Sequence, residues 1–140
     1  MEKPIQLKMI IEIILKYYPE TQVVYLFGSA AEGNLQQHSD IDLALLLPHD
    51  LAKKQASLAM SLAHLELENH LKRDVDLVNL RQVSTVFQYV IINKGKVIYC
   101  VDEYSRKTFE MLTWSFYQKL NEERAEILDE FFRTGKAYAV

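Results

Sequence analysis

The sequence predicts an α/β (α+β) protein: a small mixed β-sheet flanked by helices, with a long C-terminal helix. Short apolar runs over 23–27, 40–47, 74–80 and 97–101 read as strands. Between them, apolar residues recur at helical spacing. From 103 to about 133 that spacing continues as one long helix or two.

Taken in order, Pro4 suits a first helical turn, and Leu7, Ile10, Ile11, Ile14, Leu15 and Tyr18 repeat at helix spacing until Pro19 ends the pattern. Residues 23–27 form a buried strand closed by Gly28, and 30–32 can open a short helix before the polar loop 33–39. Along the strand 40–47, ended by Pro48, Asp40, Asp42, Ala44 and Leu46 share one face, while Ile41, Leu43 and Leu45 share the other. Asp50 can cap a helix running to about Leu71, with Leu51, Leu58, Leu62, Leu65 and Leu71 as its apolar stripe. In the third strand, Asp76 is a carboxylate within an apolar run, which is costly unless it is paired or bound to a cation. Val83, Val86, Phe87, Val90 and Ile91 mark a further helix, and the turn 94–96 leads to the last strand. The C-terminal helix has Phe109, Leu112, Phe116, Leu120, Ile127, Leu128 and Phe131 on its apolar side. Trp114, Tyr117 and Phe132 lie off or at the edge of that stripe, as on a partner surface, and 134–140 reads as a tail.

The bulk numbers bound the function. With 140 residues and 49% hydrophobic content the chain suits one domain, its core about 4–101 and its helical extension about 103–133. A net charge of -3 argues against gripping long nucleic acids by charge alone. A lone Cys100 makes neither a disulfide within the chain nor a cysteine metal cage, which fits a reducing compartment. Lys8, Glu12 and Lys16 break the apolar N-terminal stretch, so it reads as neither signal peptide nor membrane span, and a cytoplasmic location is expected.

Chemistry concentrates in Gly28-Ser29, a gap of ten residues, Asp40-x-Asp42, and the later Asp76. Nucleotidyl transfer from a nucleoside triphosphate to a hydroxyl needs such a set. Gly28 lets the backbone approach the phosphates, and Ser29 with free N–H groups at a helix start can bind them. Carboxylates two apart on one strand face can bridge two Mg²⁺ ions roughly 4 Å apart, and hard cations of that kind take oxygen ligands. A third carboxylate on an adjacent strand can complete the site beneath the attacking oxygen. Asp74, on the same strand face, rivals Asp76 for the third acid, but it follows Lys72-Arg73 at the strand mouth, where solvation suffices, and Asp76 is favoured. His38, His49, His64 and His70 show no ligand spacing, and Lys53-Lys54, Lys72-Arg73 and Arg106-Lys107 read as solvated charge pairs.

Those five residues resemble the signature of the nucleotidyltransferase superfamily of DNA polymerase β. Length and element order from Pro4 to Arg133 look like its minimal nucleotidyltransferases, or MNT proteins, whose MntA type serves as an antitoxin paired with a HEPN-domain ribonuclease toxin. The resemblance implies that Asp40, Asp42 and Asp76 are catalytic and hold two Mg²⁺ ions, while Gly28 and Ser29 hold the triphosphate of ATP. It further implies transfer of AMP to a tyrosine hydroxyl of the toxin and a hetero-oligomer with it, with no long nucleic acid and no membrane as partner. A binding-only antitoxin and a small-molecule (antibiotic) nucleotidyltransferase are the alternatives; the latter usually needs a second domain for its acceptor. One departure is Glu32, where many minimal members carry arginine; a glutamate there repels phosphate unless it points away or pairs with a lysine.

Overall fold

The computed structural model describes residues 6–31, 40–55 and 57–134. In order they form α1 (Leu7–Tyr17), β1 (Val23–Phe27), a 3-10 turn (Gly28–Ala30), β2 (Ile41–Leu46), α2 (His49–Lys54), α3 (Leu62–Leu71), β3 (Val75–Asn79), a second 3-10 turn (Leu80–Gln82), α4 (Thr85–Lys94), β4 (Lys96–Cys100) and α5 (Glu103–Thr134). The sheet order is β3-β2-β1-β4. β1 runs antiparallel to β2 and β4, while β2 and β3 are parallel, so the sheet is mixed. A parallel pair needs a crossover, which α2 and α3 supply.

The two-residue periodicity of the strands divides the core between two faces. Ile41, Leu43, Leu45, Val24, Leu26, Val75 and Leu77 pack with α1 and α3. On the other face Val23, Tyr25, Phe27, Ala44, Leu46 and Val78 meet Ile91 of α4 and Phe109 of α5. The face that carries Asp42 at one end therefore continues into hydrophobic core at the other.

The helix expected over 50–71 is two helices. Ser61 starts the second: its Oγ accepts from the His64 N–H at 3.1 Å and its hydroxyl donates to the Leu58 carbonyl at 2.8 Å. Such local bonds compete with helix continuation. The restart also changes which residues face inward: Ala63 and Leu67 are buried, whereas Leu62 and Leu65 of the expected stripe are 67% and 51% exposed. Pro48 rather than Asp50 occupies the N-cap of α2, and Asp50 lies in its first turn. In α4, capped by Ser84, Ile91 is buried but Val86 and Val90 face outward.

α5 is one helix of 32 residues. Its first half is fixed to the sheet. Phe109 and Thr113 are buried, the Tyr25 hydroxyl donates to Glu110 Oε2 at 2.7 Å, and Arg106 pairs with both Glu103 and Glu110. Burial, with the Glu110 bond behind it, pushes the Tyr25 hydroxyl far above its ordinary pKa, so it remains a donor. Tyr117 is not a free aromatic: it stacks on Tyr89 of α4, with centroids 3.7 Å apart. Beyond it Ile127, Leu128, Phe131 and Phe132 are exposed, as are Leu112, Trp114 and Phe116 nearer the sheet. The expected apolar stripe thus extends past the sheet that could have covered it. No described helix is long and apolar enough to cross a membrane.

Candidate active site

The site forms where β1 ends and β2 and β3 begin. Antiparallel pairing sets Phe27, the last residue of β1, opposite Asp42, and parallel pairing sets Asp76 opposite Asp42 on its other side. Cross-strand partners point to the same face, so the Asp42 and Asp76 side chains are neighbours. Asp40, just before β2, is exposed, as is Asp76, while Asp42 is partly buried between them and the turn. Asp76 escapes the cost expected of a buried carboxylate because it sits at the open end of the sheet. Asp74 is fixed through its backbone, its carbonyl accepting from the Ile41 N–H at 3.0 Å.

Gly28 has φ +70, a left-handed conformation that a side chain disfavours. A Cβ at this position would lie 2.1 Å from Asp42 Oδ2 and 3.1 Å from its Cγ. The carboxylate therefore occupies the space that a side chain would need, and the bare backbone of the turn lies against Asp42. Ser29 follows in the same 3-10 turn, exposed, and the turn closes through the Ala31 N–H to the Gly28 carbonyl at 3.2 Å. The structure thus brings Gly28, Asp42 and Asp76 together, with Ser29 and Asp40 at their edge. Glu32 and His38 lie outside the described residues.

Electrostatically the acid cluster is unbalanced. Burial, then the Asp76 charge, then that of Asp40 push the Asp42 carboxyl from its ordinary 3.8 up to about 6. Among the described residues, no three His, Cys, Asp or Glu side chains form a ready-made metal-ligand group. The donor chemistry nonetheless fits a hard divalent cation: oxygen ligands only, on adjacent positions, with a surplus of negative charge that a cation would relieve.

Two features away from the acid cluster gave no sign in the sequence. The Tyr25–Glu110 bond joins residues 85 apart, so local spacing says nothing of it. Arg81, outside the charge pairs, turns out to be half-buried at the far end of the sheet. Its Nε donates to the Leu47 carbonyl, Nη2 donates to Gln22 Oε1 at 2.9 Å, and Nη1 donates to His49 Nε2 at 3.1 Å.

A mixed sheet that sets a glycine turn against paired strand carboxylates defines a nucleotidyltransferase. A family model described as "Polymerase beta, Nucleotidyltransferase" matches residues 8–104, and the chain belongs to this family. More narrowly, it is 35% identical over 131 residues to protein adenylyltransferase MntA of Shewanella oneidensis, covering 93% of this chain and 90% of that one. It also matches a crystal structure of a toxin-antitoxin with AMP-PNP, with a TM-score of 0.72 and 31% identity, over 91% of this chain and 99% of the other. A third match is a structure of a tri-AMPylated Shewanella oneidensis HEPN toxin in complex with MNT antitoxin. There the TM-score is 0.64 and the identity 30%, over 90% of this chain and 95% of the other.

Proposed function

We propose that this chain is an antitoxin that transfers AMP from ATP to a tyrosine hydroxyl of a HEPN ribonuclease toxin in the cytoplasm, and so neutralises it. The observation that carries the reading is the contact between the Gly28 turn and the Asp42 carboxylate beside Asp76, which puts a backbone fit for phosphates against acids fit for metal. The full-length similarity to an adenylyltransferase supports the choice of reaction.

In the transfer, the tyrosine oxygen bonds to the α-phosphorus of ATP, the bond to the β-phosphate oxygen breaks, pyrophosphate leaves and the phenolic proton is lost. Backbone groups of the Gly28 turn and the Ser29 hydroxyl hold the triphosphate. Asp40 and Asp42 would hold the two Mg²⁺ ions, and Asp76 would complete the ligand set. When bound, the two ions neutralise phosphate charge and lower the pKa of the acceptor hydroxyl. The exposed aromatics of α5, Trp114 and Phe132 among them, support a direct grip on the toxin as well.

Cells expressing the toxin separate catalysis from grip. Asp40→Asn is expected to abolish protection while the variant remains folded and still copurifies with the toxin. If Asp40→Asn protects as well as wild type and Trp114→Ala or Phe132→Ala does not, the chain acts by binding alone.

A further inference from the structure

A cavity lies at the end of the sheet remote from the carboxylates. Asp42 and Leu46 are four residues apart in β2, so the two ends are separated by about 13 Å. The cavity, of about 470 Å³, is lined by Gln22 before β1, His49 and Arg81 after β2 and β3, and the inner side of α5. That volume is within the range of sites for small organic molecules.

Its floor is Arg81, a cation with no counter-ion among the described residues. Arg81 spends three of its five N–H donors on the neutral acceptors Leu47 O, Gln22 Oε1 and His49 Nε2, leaving one on each terminal nitrogen. Among the described residues no carboxylate pairs with it, and burial lowers its pKa, a sign that its charge is poorly solvated. The Phe109 ring, 5.6 Å from the guanidinium carbon, gives partial compensation from one side. The α5 part of the lining carries apolar surface: Leu112 and Phe116, 44% and 55% exposed, line the cavity together with Tyr104.

We propose that this cavity is a ligand site for a small monoanionic organic carboxylate with an aromatic or aliphatic body. The planar carboxylate would accept from the two remaining guanidinium N–H groups, and its apolar body would cover Leu112 and Phe116. Arg81 is the half-buried cation of the site, whereas Lys53, also in its lining, is exposed to solvent; one half-buried charge suits one negative charge, and the fork geometry of guanidinium matches a carboxylate's two oxygens. Nothing in the transfer reaction uses these residues.

The test is an amide-resolved NMR titration of the full chain with 2-naphthoate, using 2-naphthamide as its neutral counterpart. Saturable shifts at Gln22, Arg81 and Gln88 are expected with the carboxylate, and binding at least about tenfold weaker with the amide, as expected for loss of a charge-assisted bond. Arg81→Lys, which keeps the charge and loses the fork, should weaken naphthoate binding by about tenfold. Thr108→Phe fills the cavity from α5 without removing any Arg81 partner, and should abolish binding. Equal affinity for acid and amide, shifts confined to Gly28 and Asp42, or no saturable binding would each overturn the proposal.

Discussion

The Asp42→Asn variant is expected to be more stable than wild type without metal, by about 1 kcal/mol near neutral pH, and to lose adenylyl transfer by about 10²–10³-fold. The stability gain follows from the raised pKa of Asp42. Between 3.8 and about 6 the folded protein holds a proton on this group that the unfolded chain has released, so stability falls as pH rises through that window. This is opposite to the trend of a salt-bridged carboxylate. The full linkage would approach about 3 kcal/mol, but Asp42 is only partly buried and solvent screening reduces it. Asparagine removes the repelled charge. It also removes a ligand expected to touch both cations, and metal assistance contributes several kcal/mol to transition-state stabilisation. Thermal denaturation across pH checks the first half: wild type should lose stability as pH rises toward 6, while the variant lacks this component. Added Mg²⁺ should raise the melting temperature of wild type more than that of the variant.

Gly28→Ala is expected to have the second largest effect. A non-glycine residue held at φ +70 costs about 1–2 kcal/mol in backbone strain. The new methyl would also overlap Asp42 Oδ2, so either the carboxylate or the turn must move. A shift of about 1 Å in a positioned group costs roughly 10²-fold in rate. The variant should therefore show reduced thermal stability and at least that loss of transfer, and an ATP titration should show weaker binding. Retention of full activity would mean that the turn does not govern the position of Asp42.

How much of this could be read from the chain depended on the range of the interactions involved. β1 was legible to the residue because an apolar β-branched run ended at a glycine with a required conformation. The shared face of Asp42, Ala44 and Leu46 followed from strand alternation, and the sheet bears it out. The neighbouring of Asp42 and Asp76 could be expected only once β2 and β3 were taken as adjacent, since no local signal gives their register. The break before Ser61 was missed because leucines flank it on both sides, and the cap bond to His64 decided the matter. Tyr117 looked free because its partner, Tyr89, lies on another helix. The Arg81 cavity was invisible for the same reason, being assembled from four separate parts of the chain.

The most direct test of the central claim is intact-protein and peptide mass spectrometry of the HEPN toxin proposed as its partner, after incubation with purified protein, ATP and Mg²⁺. Adenylyl groups should appear on toxin tyrosine, and both Asp42→Asn and omission of the metal should slow their appearance at least about 10²-fold. An unmodified toxin with wild type, or equal modification by Asp42→Asn, would contradict it.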